Sequence, residues 1–425
     1  RAVLASEHPD LAILTGDVVT DDPALKGWVD VVNIFNETQT PFVVTMGNHD
    51  AEYMTRDDIY DFLLKSPYYV GAKGPADIMG CGNCVIPVYG SQRKGTVEAL
   101  LYCLDSNDYQ PNKLYGAYDW IHFNQIEWYR RQSAGFTVAN GGKPVPALAF
   151  FHIPLIEYNE IRSDGKTYGN DKEGGVAAAN INSGMFSSFL DMKDVMGVFV
   201  GHDHDNDFLG MDKGIVLGYG RVTGTDAYGS LTRGRIIELY EDQFKFDTWI
   251  TTPAGREASY YYPSGLNSEE EQTMTYLPGV KTSSENPGVA YTYYEGKCKR
   301  VADIDTCSKV KSGVMSNFSI KEAAVTDHFA YDFRTLVRIS ERGVYRFYTY
   351  SDDGSQLYID GKLIVDNDGG HSARRVEGKV ALEKGFHELH LLYFEDYMGQ
   401  ELEVGYSGRN VPETTLPDSM LFLPD

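Results

Sequence analysis

Apolar and polar positions along the first 260 residues follow the order of strands and helices in an α/β domain. Short apolar runs at 11–14 and 41–45 stop at turn residues, as buried strands do. Between them, residues 25–35 place apolar side chains at helical spacing, which completes a β-α-β pattern. Further apolar runs in this region predict strands at 100–104, 147–151 and 198–200, and helices at 123–131 and 185–192.

The pattern changes after residue 288 to an apolar and polar alternation with period two. Asp-Gly and Asn-Asp-Gly turns separate the alternating runs, which is typical of an antiparallel β-sandwich. The stretch 263–288 between the two regions is polar and rich in turn residues, and we interpret it as a linker. We therefore expect a first domain at 1–262 and a second at 289–425. The alternating runs lie at 344–350, 356–360, 362–365 and 385–393.

Charge excludes one class of partner. The 425 residues include 38 basic and 61 acidic side chains, for a net charge of −23. Residues 1–288 carry −17 of this charge and residues 289–425 carry −6. Such a surface repels phosphate backbones, so we expect no nucleic-acid partner. No apolar run approaches 18 residues, so the sequence predicts no transmembrane helix.

Four predicted strands of the first region are followed by residue types that can serve as metal ligands. Because the carboxyl ends of strands in an α/β sheet gather at one edge, we expect these residues to meet. One carboxylate, one amide and four imidazoles suit Fe, Zn or Mn better than Ca or Mg alone. A single Gly-Asp after a strand is usually a turn, and a single His there is more often structural, but the set as a whole favours a metal site. The segments are Leu14-Thr-Gly-Asp17, Thr45-Met-Gly-Asn-His-Asp50, Phe150-Phe-His-Ile-Pro154 and Val198-Phe-Val-Gly-His-Asp-His204.

These segments resemble the GD, GNH[DE], strand-end His and G-H-x-H motifs of the calcineurin-type metallophosphoesterases. The surrounding sequence is similar to the purple-acid-phosphatase-like branch, and the resemblance covers about residues 1–260. It implies a four-layer α/β/β/α sandwich. It also implies hydrolysis of a phosphomonoester by a hydroxide held between two metal ions, which would be Fe, Zn or Mn.

The resemblance assigns the metal ligands residue by residue. Asp17 resembles the carboxylate that bridges the two metals. Asn48, His152 and His202 resemble the other protein ligands of the second metal, and His204 resembles a ligand of the first. Imidazole nitrogen and carboxylate oxygen are ordinary ligands for these ions.

The resemblance also points to three residues that would act on the phosphate. His49 resembles the imidazole that donates a proton or a hydrogen bond to the phosphate, with Asp50 orienting it. Arg221 lies near the expected active face and is a candidate for contacting phosphate. A capping role for Arg221 is an equal alternative.

One family motif is absent from this sequence. The D-x-H motif, which would end the preceding strand and supply ligands to the first metal, has no counterpart. Residues 1–10 resemble the helix that follows that strand, so we expect further residues before Arg1, including an export signal. Without the motif, Asp17 and His204 alone would bind the first metal weakly.

Residues 289–409 resemble the protective-antigen-type β-sandwich. The resemblance depends on Tyr291-Thr-Tyr-Tyr-Glu-Gly296, Tyr350-Ser-Asp-Asp-Gly-Ser355 and Leu357-Tyr-Ile-Asp-Gly361. In some members of that family an adjacent Asp pair binds calcium and a sugar, and the pair corresponds here to Asp352 and Asp353. The alternative is that Ser-Asp-Asp-Gly-Ser simply forms a turn.

Together these patterns predict a secreted, periplasmic or cell-surface phosphoesterase for a small phosphate ester, with an accessory domain for a glycan or cell-surface ligand. One alternative is a phosphodiesterase or nucleotidase, because the metal motifs do not separate these classes. Another is a carbohydrate-binding protein with a catalytically degenerate phosphoesterase scaffold, which the missing D-x-H favours. Cys298 and Cys307 are candidates for a disulfide.

Overall fold

A computed structural model describes residues 1–224, 233–282 and 286–425. The chain divides into two compact units, Arg1–Gly265 and Leu266–Asp425, which we call unit 1 and unit 2. In the described ranges, every helix is too short or too polar to cross a membrane.

Unit 1 alternates strands and helices in the order that the apolar pattern predicts. Its described helices are α1 (Ala2–Glu7), α2 (Ala24–Thr38), α3 (Arg56–Leu63), α4 (Phe123–Ala139), α5 (Tyr158–Ser163) and α6 (Met185–Met192), with a 3₁₀ turn at Lys113–Tyr115. Its described strands are β1 (Ala12–Thr15), β2 (Phe42–Thr45), β3 (Cys84–Tyr89), β4 (Val97–Cys103), β5 (Ala147–Phe150), β6 (Val195–Val200), β7 (Leu209–Asp212), β8 (Ile215–Tyr219), β9 (Gly234–Leu239), β10 (Phe246–Thr252) and β11 (Gly255–Tyr262).

The strands of unit 1 form separate sheets. Strands β1 and β2 make a parallel pair. Six strands form a mixed sheet in the order β3-β4-β5-β6-β8-β7, in which the four inner strands are parallel. Strands β9, β10 and β11 form an antiparallel group. The carboxyl ends of β1 and β2, and those of β5 and β6, carry the predicted ligands.

Buried side chains arrange these sheets as two inner layers with helices outside. Phe150 and Phe199 of the six-stranded sheet share a core with Phe246 of β10 and the half-buried Ile13 of β1. Helix α2 packs its apolar face beside β2, where the Phe35 and Phe42 rings stack. Helices α4, α5 and α6 share a separate core with the six-stranded sheet. This arrangement confirms the α/β/β/α sandwich.

Helix α4 runs eight residues beyond its predicted end at 131. The apolar spacing that identifies its first half fades after Trp128 and Tyr129, which are buried. The last turns lie at the surface, where Val138 is 78% exposed. Hydrophobic periodicity therefore detects the first half of this helix and misses the second, in which Phe136 still packs against the core but its neighbours are polar or small.

Unit 2 is the predicted antiparallel sandwich. Its described elements are β12 (Leu266–Asn267), α7 (Ser268–Thr273), β13 (Tyr276–Leu277), β14 (Val289–Glu295), β15 (Ser308–Met315), β16 (Phe329–Ile339), β17 (Gly343–Asp352), β18 (Ser355–Ile359), β19 (Lys362–Asn367), β20 (Arg374–Leu382), β21 (Gly385–Glu395), β22 (Glu401–Gly408), β23 (Val411–Thr415) and β24 (Leu421–Phe422), with 3₁₀ turns at Val301–Thr306 and Asp418–Met420.

Two sheets of unit 2 face each other across one core. Their orders are β13-β20-β17-β22-β23 and β15-β14-β16-β21-β18-β19, and β24 also pairs with β16. Phe347 and Tyr406 of the first sheet share this core with Tyr331 and Leu391 of the second. The alternating pattern of the sequence therefore corresponds to the inward and outward sides of both sheets.

The stretch 263–288 is partly regular, in contrast to the linker that its composition predicts. Asn267 starts helix α7 with a capping box, because its side chain accepts a hydrogen bond from Glu270 N while the Glu270 carboxylate accepts one from Asn267 N. Strand β13 pairs with β20. Helix α7 buries no residue, so its polar composition resembles that of a linker.

The cysteine pair proposed from the sequence lies close together. The Sγ atoms of Cys298 and Cys307 are 3.2 Å apart. The disulfide itself stays a prediction.

Candidate metal centre

The ends of three strands bring one carboxylate and three imidazoles into a cluster. Ligand atoms of Asp17, His152 and His202 all lie within 4.8 Å of one another. Asp17 Oδ2 is 3.1 Å from His152 Nε2 and 3.3 Å from His204 Nε2. His202 Nδ1 is 3.1 Å from His152 Nε2. The strand-end pattern therefore correctly predicts that these four side chains meet.

The cluster draws its residues from two different sheets. Asp17 follows β1 and Asn48 follows β2, whereas His152 follows β5 and His202 and His204 follow β6. The Asn48 loop reaches Asp17 through the next residue, since the backbone N–H of His49 donates to Asp17 Oδ1 over 2.9 Å.

Two polar groups in these loops are buried without partners among the described residues. The side-chain Oδ1 and Nδ2 of Asn48 and the Nε2 of His202 make no hydrogen bond. Leaving such a group unsatisfied costs about 1–3 kcal/mol. A cation held by Asn48 Oδ1 would give that oxygen a partner, and His202 faces the cluster through its Nδ1. The residues present therefore fit the metal that the family resemblance implies.

The protonation states of Asp17 and His202 also favour a cation at the cluster. Burial disfavours ionisation of Asp17, but hydrogen bonds from His152 and His204 outweigh it and hold the pKa of Asp17 well below its usual range. Burial and the neighbouring His152 lower the pKa of His202 to about 3, so His202 is neutral at physiological pH. A carboxylate beside a neutral imidazole is a suitable donor set for Fe, Zn or Mn.

His152 is oriented by the backbone. Its Nδ1 lies 2.7 Å from the carbonyl oxygen of Thr15, so Nδ1 carries the hydrogen and Nε2 faces Asp17. Burial disfavours the charged form of His152, yet Asp17 outweighs burial and raises the pKa of His152. A metal ion bound by His152 and Asp17 would compete with this proton, so metal affinity at the cluster would depend on pH.

Asp50 has a structural role in the turn that carries Asp17. Its fully buried carboxylate accepts hydrogen bonds from the backbone N–H groups of Gly47 and Asp17 at 2.8 Å, Val18 at 2.7 Å and Val19 at 3.0 Å. Asp17 has a positive φ of 50°, which L residues rarely adopt. Asp50 holds the turn in this conformation.

Two glycines allow the turns to approach one another. A Cβ on Gly16 would overlap the His152 ring, and a Cβ on Gly47 would overlap the Asp17 carboxylate. Gly16 also has a φ of 90°, where glycine has no steric penalty. Gly16 and Gly47 therefore allow the turns that carry Asp17 and His152 to lie in contact.

The expectation that Asp50 orients His49 is wrong. The His49 ring lies between two other side chains, with Nδ1 2.6 Å from Glu52 Oε1 and Nε2 3.2 Å from the Tyr109 hydroxyl. Its side chain is 39% exposed, so it faces solvent at the edge of the cluster. Among the described residues, the hydrogen bonds of the Asp50 carboxylate come from backbone N–H groups. Glu52 fills the orienting role.

The expected phosphate contact of Arg221 also needs correction. The Arg221 side chain has no exposed surface, and its Nη1 donates to Asp207 Oδ2 over 2.8 Å. A phosphate group in solvent could not reach the guanidinium in this arrangement. Arg221 instead neutralises Asp207, whose carboxylate also accepts a hydrogen bond from Asn170 N.

The loop that follows β4 completes the surroundings of the cluster, and the motif analysis misses it. The Asp105 carboxylate forms an ion pair with Arg56, whose Nη2 also donates to the carbonyl oxygen of Gly47. The same loop carries Tyr109 to His49 and Tyr118 to His202, with ring centroids 5.8 Å and 4.5 Å apart. Its polar residues directly follow a strand, which is the signal that could have identified it.

Unit 2 contains a separate acidic cluster at the predicted Asp pair. Ligand oxygens of Asp352, Asp353 and Glu395 lie within 4.8 Å of one another. Glu395 is fully buried, and its Oε1 has no partner among the described residues. Burial, with the nearby Asp353 and Asp352, raises the pKa of Glu395 to about 8. Sequence analysis predicts the Asp pair but not Glu395, which is distant in sequence.

Comparison with known families divides the chain in the same way as its structure. The sequence pattern of calcineurin-like phosphoesterases matches residues 1–206. The pattern of the PA14 domain matches residues 285–419.

Individual relatives support the phosphoesterase match. The probable inactive purple acid phosphatase 29 of Arabidopsis thaliana is 37% identical over 269 residues, which cover 58% of this chain and 68% of the relative. Phosphatase DCR2 of Saccharomyces cerevisiae is 32% identical over 302 residues, covering 64% and 51%. A solved PA14 sugar-binding domain from an RTX adhesin aligns with 32% of this chain and 99% of its own, at 15% identity and a TM-score of 0.28.

Proposed function

Because the chain belongs to the calcineurin-like metallophosphoesterase family and carries a C-terminal PA14 domain, we propose that unit 1 is a metal-dependent phosphatase for small phosphomonoesters. The observation that carries the proposal is the contact of Asp17, His152 and His202, beside the unpartnered buried amide of Asn48. These four residues would hold one metal, and Asp17 with His204 would contribute to a second.

The ions, when bound, would supply charge that neutralises the phosphoryl oxygens and activates the attacking water. The protein places His49 at the exposed side of this site. Glu52 accepts a hydrogen bond from Nδ1, so Nε2 is the atom that can give a proton to the leaving oxygen. The Tyr109 hydroxyl, 3.2 Å from Nε2, would be displaced from this nitrogen or share it with the substrate.

A catalytically degenerate scaffold is the second candidate for unit 1. The relatives' names point both ways, since one is called a probable inactive purple acid phosphatase and another a phosphatase. The ligand set favours an active enzyme. In a scaffold without metal, the buried and unpartnered Asn48 amide and His202 Nε2 would lower the folding stability, and no metal binding would compensate for that loss. A phosphodiesterase activity is the near alternative.

Replacing His49 by alanine tests the catalytic proposal. We expect kcat for an aryl phosphate to fall by about 10²–10⁴-fold, the usual effect of losing a general acid. Metal content should stay unchanged, because His49 is outside the ligand cluster. Metal analysis and steady-state kinetics on a phosphomonoester and a phosphodiester measure both quantities. The exposed His328→Ala in unit 2 is the control, and equal turnover of His49→Ala and His328→Ala would refute the role of His49.

For unit 2 we propose calcium-dependent binding of a glycan, with the protein acting at a secreted, periplasmic or cell-surface location. The cluster of Asp352, Asp353 and Glu395 supports the cation, because three carboxyl groups so close together repel one another when ionised. Carboxylate oxygens are the ligands that Ca²⁺ prefers. Asp353 already accepts hydrogen bonds from His371 N and Asp396 N, which fix its oxygens in place.

Calcium titration of the full chain tests this cation site. We expect Ca²⁺ to raise the melting temperature of unit 2 and to release heat on binding, and Asp353→Asn to abolish both effects. The control is Asp366→Asn, since Asp366 is an exposed residue of the same unit whose carboxylate accepts a hydrogen bond from Gln356 Nε2 and is not part of the acidic cluster. A calcium response that is the same in Asp353→Asn and Asp366→Asn, or absent from the unaltered protein, would rule out the site.

A further inference from the structure

We propose that unit 1 selects phosphomonoesters of aromatic alcohols through an aromatic wall formed by Tyr109 and Tyr118. This inference rests on the proposed phosphatase function and specifies its substrate class. The wall would contact the ring of the leaving group while the ligand cluster holds the phosphate.

The two rings connect the two sides of the cluster. Tyr109 and Tyr118 stack with centroids 5.7 Å apart and an interplanar angle of 25°. The Tyr109 hydroxyl contacts His49, and the Tyr118 ring meets the predicted ligand His202 edge-on at 4.5 Å. An ester whose phosphate reaches His49 and His202 therefore has these rings as its nearest apolar surface.

The wall is preorganised by the loop that carries it. Asn107 Nδ2 donates to the carbonyl oxygen of Trp120 and to Gln125 Oε1, which closes the base of the loop. Gln110 N donates to the carbonyl oxygen of Ala117, and a β-bridge pairs Tyr109 with Tyr118. A loop fixed in this way loses little conformational entropy when a ligand binds.

A packing role alone does not account for the rings. Neither tyrosine belongs to the described hydrophobic cores of unit 1. The Tyr109 side chain is 42% exposed, although its hydroxyl contacts His49 at the edge of the cluster. Exposed aromatic faces next to a polar cluster are what an aromatic ligand stacks on.

Charge around the wall favours a neutral leaving group. Glu52 contacts His49, and the partly exposed carboxylate of Asp108 accepts a hydrogen bond from Tyr109 N and lies 3.4 Å from Arg56 Nη2. A polyphosphate or another anionic leaving group would find no free cation in Arg56, because Arg56 is already paired with Asp105 and Asp108. An uncharged aromatic ring needs no such cation, so the surroundings favour an aryl monoester over a nucleoside polyphosphate.

Binding of inert phosphonates to the metal-loaded full chain tests this proposal. We expect phenylphosphonate to bind about tenfold more tightly than methylphosphonate in calorimetry. Tyr109→Ala should bring the two affinities within about twofold, whereas Tyr109→Phe, which keeps the ring, should preserve most of the preference. Tyr118→Leu provides a second test of the wall, and Tyr89→Ala, an exposed tyrosine on β3, is the control.

Each outcome has a separate meaning. Equal binding of the two phosphonates by the unaltered protein, or an unchanged preference in folded Tyr109→Ala and Tyr118→Leu, would overturn the wall and leave the phosphatase proposal in place. Binding of neither phosphonate nor inorganic phosphate would overturn the proposed function and the wall together. Melting temperatures of all variants show which of them are folded.

Discussion

Replacing His202 by alanine is expected to remove metal from unit 1 and to lower kcat for an aryl phosphate by at least about 10³-fold. Metal ions in such sites contribute several kcal/mol of transition-state stabilisation, and each 1.36 kcal/mol corresponds to a factor of ten. His202 contacts His152 in the cluster, and its buried Nε2 has no partner among the described residues. Alanine offers no ligand atom in its place.

Elemental analysis and kinetics on the same preparations measure this effect. The control is His8→Asn, since His8 is an exposed histidine of the same unit with a left-handed backbone that asparagine tolerates. We expect the control to keep its metal and its rate. Unchanged turnover and metal content in His202→Ala would refute the assignment of the ligand cluster.

Replacing Asp50 by alanine is expected to destabilise unit 1 by about 3 kcal/mol or more and to abolish metal binding. The substitution removes the acceptor of four backbone N–H groups, and each buried group left unsatisfied costs about 1–3 kcal/mol. The turn at Asp17 would then relax from its positive φ and withdraw the carboxylate from the histidines.

Tryptophan fluorescence during urea unfolding can follow this effect in unit 1 alone, because the four tryptophans of the chain are Trp28, Trp120, Trp128 and Trp249. The matched control is Asp57→Ala, whose side chain is 73% exposed. We expect a change of less than about 0.5 kcal/mol for this surface substitution. A similarly small change in Asp50→Ala would show that the carboxylate has no structural role.

The sequence predicted that the proposed ligands lie close together because one topological rule applies to them. Asp17, Asn48, His152, His202 and His204 all directly follow strands, and strands in such sheets end together. Recognising the chemistry required only the residue types, since carboxylate, amide and imidazole are uncommon together at strand ends. The fold followed from the same alternation of apolar runs.

The sequence did not predict the partners of these residues. Asp50 is adjacent to His49 in the chain, yet its carboxylate turns toward the backbone while Glu52 reaches the ring. Arg221 carries a charge that suggests exposure, and only the structure shows that it is buried against Asp207. Pairing of this kind depends on side-chain direction, which motif spacing does not record.

The aromatic residues near the cluster were missed for a different reason. Asp105-Ser-Asn-Asp-Tyr109 follows β4, but its composition is that of an ordinary turn. Tyr118 lies nine residues further along, and only the loop hydrogen bonds bring it back to Tyr109. Chain reversals of this length place residues together in ways that local patterns cannot indicate.

The proposed ligands of the cluster come from two sheets that share no strand, the β1–β2 pair and the six-stranded sheet. A cation bound there would join the sheets as a cross-link, so its binding energy would add to the folding stability of unit 1. In a metal-poor environment unit 1 would lose this contribution and keep only the shared hydrophobic core between the sheets. The lifetime of the folded protein, and its resistance to proteases, would then report on metal supply even when no substrate is present.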